Sequence, residues 1–151
     1  MAIHIFQAAK YAGAYTDWSK SNLELQKIIY IAHMLHIGRS DGPLVDGLFQ
    51  AWHLGPVHPD LYHRAKVFGA DPVRNIFRTF DVDESASEIV SLSDTLKTVS
   101  DYSGSKLVAI THWEQGAWYK NYIPGEKHTI IPNSDIREEY ENRVARAQSG
   151  R

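Results

Sequence analysis

Leu25, Ile28, Ile29, Ala32 and Leu35 recur at i, i+3, i+4, i+7 and i+10, the strongest periodic signal in this 151-residue chain. That spacing is the signature of an amphipathic α-helix, because residues three and four apart share a face. Ser21-Asn22-Leu23-Glu24 stands just ahead of it. Ser21 can accept from the backbone of Glu24 while the Glu24 carboxylate reaches back, so the sequence predicts a capping box. Gly38 is the expected stop.

The same periodicity predicts further helices. Ile5, Ala9 and Ala12 mark a first one, and Ser103 caps another that carries Leu107, Ile110 and Trp113. Pro59 suits the first turn of a helix with Leu61, Tyr62, Ala65 and Phe68, ended by Gly69. Ile89, Leu92, Leu96 and Val99 recur at helical intervals, and Asn133 or Ser134 caps a last helix carrying Ile136, Tyr140 and Val144. Residues 48–54 are short and rich in large side chains, with Gly55-Pro56 as a break; residues 70–87 carry no clear period. The expected fold is mainly α: a compact single domain of about six helices with at most a small β-hairpin, over residues 1–147, and a frayed tail at 148–151.

Composition narrows the function. Net charge is −2, so no global basic field draws nucleic acid. The absence of cysteine removes disulfides, thiolate catalysis and Cys-ligated zinc, and points to the cytoplasm. Neither a signal peptide nor a membrane-spanning run is expected.

Eight histidines raise a metal hypothesis. His33 and His36 can share a helix face, but His53, His58 and His63 are five apart, a poor helical interval for ligands. No H-E-x-x-H, G-x-S-x-G or P-loop occurs. Paired carboxylates at Asp81/Asp83/Glu84 and Glu138/Glu139 read as solvated surface. No metal, cofactor or catalytic set is expected. The rival reading is a small metal- or His-dependent hydrolase using His58 or His112 with a nearby acid.

Four tryptophans and eight tyrosines point instead to a binding surface. Large rings with a polar tip are favoured where proteins meet. Tyr30 and Trp52 are expected in the core, with Trp113 and Trp118 packed. Tyr119 and Tyr122 are expected to be available to a partner. Tyr62, Trp118 and the rim around Trp52 complete the candidate partner surface. Gln26 is expected to brace its helix against Ala51–Val57, and Gly55-Pro56-Val57 to set the entry angle of the helix that follows.

Leu23-Glu24-Leu25-Gln26-Lys27-Ile28-Ile29-Tyr30-Ile31-Ala32 resembles the LKLQKLLYFA signature of the SocA-like antitoxin (Panacea) family. Ala51-Trp52-His53-Leu54-Gly55-Pro56-Val57 resembles its AWxxGPV, Leu61-Tyr62 its VY or LY, and Leu107 to His112 with Trp118 its LxxLTHxxxxPW element. The likeness runs over roughly residues 2–140. Glu24 replaces a usual lysine, and Ala117 stands where a proline often precedes the tryptophan. No extra N-terminal helix-turn-helix domain of the kind some relatives carry is seen, which argues against direct DNA binding. The resemblance implies structural roles for Leu25, Gln26, Lys27, Tyr30, Trp52, Gly55, Pro56, Val57 and His112. It implies an antitoxin that neutralises a cognate toxin by direct contact. The namesake acts as an adaptor that delivers its toxin to the ClpXP protease, and the family also includes phage-associated proteins. A phage-associated structural or interaction protein is therefore the third reading.

Overall fold

The computed structural model describes residues 1–150. Its centre is α2, Asn22–Ser40. The expected capping box is present: Glu24 N–H donates to Ser21 Oγ at 3.2 Å, and Ser21 N–H to Glu24 Oε1 at 3.0 Å. Six consecutive residues, Leu25 to Tyr30, are buried. An amphipathic surface helix buries one stripe; α2 is enclosed on most sides instead. Around it pack α1 (Ile5–Tyr15), α3 (Pro59–Ala65), α4 (Ser87–Val99), α5 (Gly104–Thr111) and α7 (Asn133–Ser149).

Gly38 does not end α2. The helix runs on to Ser40, and Asp41 supplies the left-handed cap at φ 63°. A Cβ on Gly38 would stand 2.3 Å from the Tyr140 ring, so the glycine lets α7 approach α2. Gly13 serves Trp18 in the same way, with ring carbons 2.2 Å from where its Cβ would be.

Two antiparallel strands, β1 (Gln50–Trp52) and β2 (Gly55–Val57), form a hairpin closed by His53-Leu54. Gly55-Pro56 is thus the second strand rather than a break. Gly55 holds φ +120°, open to glycine and not to other residues. Pro56 faces Ala51, whose own N–H turns away to Thr129 O at 2.9 Å. The missing proline N–H therefore costs no ladder bond. Pro59 occupies the first turn of α3, a 3-10 turn at Lys66–Phe68 follows, and Gly69 closes it.

Seven α-helices stand where six were expected among the described residues. The addition is the one-turn α6 (Ala117–Asn121), hidden in an aromatic segment too short to show a period. Helix α5 stops at Thr111, short of Trp113, and α7 starts from Pro132 rather than from a capping Asn133 or Ser134. It extends to Ser149, inside the segment expected to fray. Residues 70–86 are an irregular strap anchored by buried Val73 and Phe77. No helix among the described residues is long and apolar enough to cross a membrane.

Candidate functional site: an aromatic cleft over a buried lysine

Three of the four motif segments, far apart in sequence, line one cleft of about 390 Å³, and the fourth, Leu107 to His112 with Trp118, stands behind its Tyr122 wall. The first turns of α2 give it Asn22, Leu23, Gln26 and Lys27; the hairpin gives Trp52, His53, Leu54 and Val57; α3 gives Tyr62. Tyr122 and the loop Gly125–Lys127 complete the wall.

Two polar side chains of α2 fix the hairpin to this helix. Gln26 Oε1 accepts from His58 N–H at 2.8 Å, and Gln26 Nε2 donates to His58 O at 3.2 Å. The amide reads both backbone groups of the residue that opens α3, which makes it the expected brace, one position beyond Val57. Lys27 Nζ donates to Pro56 O at 3.0 Å. Lys27 is 1% exposed, and burial pushes its amine down to about 7. Gly55 leaves room for it: a Cβ there would lie 2.7 Å from Lys27 Cε.

Tyr122 of the wall is the outermost of three stacked rings. His112 lies on Trp118 at 3.7 Å between centroids, nearly parallel, and Trp118 lies on Tyr122 at 4.7 Å. Trp118 Nε1 donates to Trp52 O at 2.7 Å, tying the stack to the hairpin. Burial lowers the His112 pKa, and its Nε2 has no hydrogen-bond partner. Tyr122 Oη bonds His53 Nδ1 at 3.2 Å. On the opposite side Trp52 meets Tyr62 edge-on at 4.6 Å.

These placements sort the expected residues. Tyr62 and Tyr122 are half-buried and line the cleft; Tyr119, on α6, is 54% exposed and does not line it. Trp118 is 6% exposed, so it supports Tyr122 from behind and presents little surface of its own. Tyr30 is core, as expected. Trp52 is not: it is half-buried and forms a cleft wall. Trp113 is half-buried beneath the Arg143 guanidinium, 4.7 Å above its ring.

The histidines engage separate partners. His33 Nε2 meets Asn133 Oδ1 at 3.0 Å while its Nδ1 accepts from Leu44 and Val45 N–H, and burial pushes its pKa down to about 4. His36 faces Ser91 and Glu88. No group of three or more metal-ligating side chains stands together among the described residues.

Two carboxylates escaped the sequence reading. Glu139 is not solvated surface; it is 1% exposed, pairing with Tyr30, Arg143 and the N–H of Ala117. Glu88 is 5% exposed beside His36. Glu139 lies four residues before Arg143, an i, i+4 pair whose partner was visible; its distant tyrosine was not.

The family model described as antitoxin SocA-like, Panacea domain, matches residues 25–119. The chain is 35% identical over 108 residues to a protein named antitoxin SocA from Caulobacter vibrioides (strain NA1000 / CB15N), a match covering 65% of this chain and 57% of that relative. The chain thus spans little more than half the length of the curated relative it matches. No solved structure matches. The matched stretch begins at the core of α2 and ends on α6, enclosing the residues that build most of the cleft, and on that match the chain belongs to the SocA-like antitoxin, Panacea-domain family.

Proposed function

We propose that this protein is an antitoxin that neutralises a cognate protein toxin by direct contact in the cytoplasm, using the aromatic cleft and its Tyr119 flank as the contact surface. The observation that carries this reading is that three motif segments line one cleft and the fourth backs its Tyr122 wall. Two of their polar members brace it: Gln26 on His58 and Lys27, through one of its three N–H donors, on Pro56. What remains at the surface is a rim of Tyr62, Trp52, Tyr122 and Leu54. Aromatic anchors in a preformed depression are what a tight protein interface uses, because rigid rings bury area at small entropic cost.

Masking the toxin and handing it to a ClpXP-type protease both begin with this contact. The test is co-expression with each flanking gene, scored by growth rescue and co-purification. Rescue by the intact protein, lost with Tyr122→Ala while the variant stays folded, supports the reading. Failure of every flanking product to bind refutes it. Toxin half-life in cells with and without the protease then separates masking from delivery.

A further inference from the structure

Lys27 is a charged group that toxin contact through aromatic rings leaves unused. An ammonium has three N–H donors, and the structure gives this one a single acceptor, Pro56 O. It forms no ion pair among the described residues, although it is almost wholly buried. Buried charges are ordinarily paired, because an uncompensated one loses its hydration. The groups nearby do not repair this: neither the neighbouring Thr111 hydroxyl, which bonds Leu107 O and Val108 O, nor the His112 ring, whose Nε2 has no partner, makes a hydrogen bond to the amine.

Resting on the antitoxin reading, we propose that the cleft receives a short segment of the partner protein in which an Asp or Glu side chain projects between apolar neighbours and pairs with the Lys27 amine. Charge complementarity names the occupant. The walls are mainly apolar and the floor holds one amine; at the rim the Lys127 ammonium sits 5.6 Å above the Trp52 ring, next to the Glu126 carboxylate that balances it, so the amine of Lys27 is the basic group left within. A single carboxylate on an apolar body suits both walls and amine. A phosphate group would need several converging donors, and one lysine does not supply them. A volume of about 390 Å³ takes a few side chains, not a whole helix. An entering carboxylate also turns a penalty into a gain, since opposite charge favours the protonated amine that burial disfavours.

The test uses the full chain and two probes with the same phenylpropyl body, hydrocinnamate and the corresponding alcohol, followed by NMR. The acid is expected to bind about tenfold more tightly than the alcohol, the size of a charge-assisted hydrogen bond. It should move the Lys27 Cε and Nζ resonances, which the alcohol leaves in place. Lys27→Met should abolish the preference for the acid. Equal binding of the two probes, or Lys27 resonances that ignore the acid, overturns the proposal on the unaltered protein, whether or not the variant folds. In a second arm the acid competes with a preformed antitoxin–toxin complex. Displacement supports the proposal; acid bound at Lys27 with the complex intact refutes it while the antitoxin reading stands. That reading fails by another result, the absence of any rescuing flanking toxin.

Discussion

Tyr30 Oη donates to Glu139 Oε1 at 2.7 Å across 109 residues of sequence. The bond joins the middle of α2 to α7 and is closed off from solvent on both sides. The same carboxylate accepts from Ala117 N–H at 3.0 Å and pairs with Arg143. One buried acid therefore ties together α2, the start of α6 and α7, the three elements that hold Trp118 behind the cleft.

Removing that acid should be costly. Glu139→Leu leaves a buried hydroxyl and a backbone N–H without their acceptor and leaves the Arg143 guanidinium only Ile110 O, and should lower unfolding free energy by about 3 kcal/mol. Tyr30→Phe removes only one donor and should cost about 1 kcal/mol. Urea unfolding of both variants checks the ratio; equal losses would contradict the assignment of Glu139 as the hub.

Gln26 makes a comparable prediction at the hairpin. Gln26→Leu keeps the volume but strands the buried His58 N–H, while the His58 C=O keeps only its bond from Tyr62 N–H at 3.0 Å. The expected loss is about 2 kcal/mol. Faster amide exchange at His58 in NMR should accompany it, and unchanged exchange would argue against the brace.

Acid should destabilise the fold through His33. Burial holds the folded imidazole near 4, against an ordinary value of 6.5. Between those values the unfolded chain binds a proton that the folded chain does not, so stability falls as pH drops from about 6.5 to 4. The shift corresponds to about 3 kcal/mol. Lys27 works in the same sense at higher pH: its folded value near 7 lies below 10.5, so stability rises as pH climbs between them. Thermal melts across this range give the slope, and His33→Gln should flatten its acid limb.

Close packing on glycine is testable at Gly38. Alanine would gain up to about 1 kcal/mol of helix propensity. It would also place a methyl against Tyr140, and overpacking of this kind costs about 1 to 3 kcal/mol. A net loss of stability is expected for Gly38→Ala, recovered in part by Tyr140→Ala.

Binding should be concentrated on few rings. Tyr122→Ala and Tyr62→Ala should each weaken toxin binding by about 2 kcal/mol, as interface anchors do. Tyr15→Ala, exposed on α1 and absent from the cleft, should leave affinity unchanged. Titration calorimetry on the co-purified pair separates these outcomes.

Local chemistry alone determined much of this protein. The Ser21–Glu24 box, Pro59 at the start of α3, Ser103 before α5 and the four-residue rhythm of α2 and α4 are set by neighbours within one or two turns, so the helical class was readable from spacing. The motif order was likewise enough to recognise the family. Tertiary structure decided the rest, because contact is a matter of distance in space. Whether Glu139 faces water or Tyr30, whether Gly38 ends a helix or admits a ring, and whether Trp52 fills the core or walls a cleft depend on elements up to 109 residues away. No local pattern encodes those encounters; only burial around α2 brings a lysine, a hairpin carbonyl and three stacked rings to the same place.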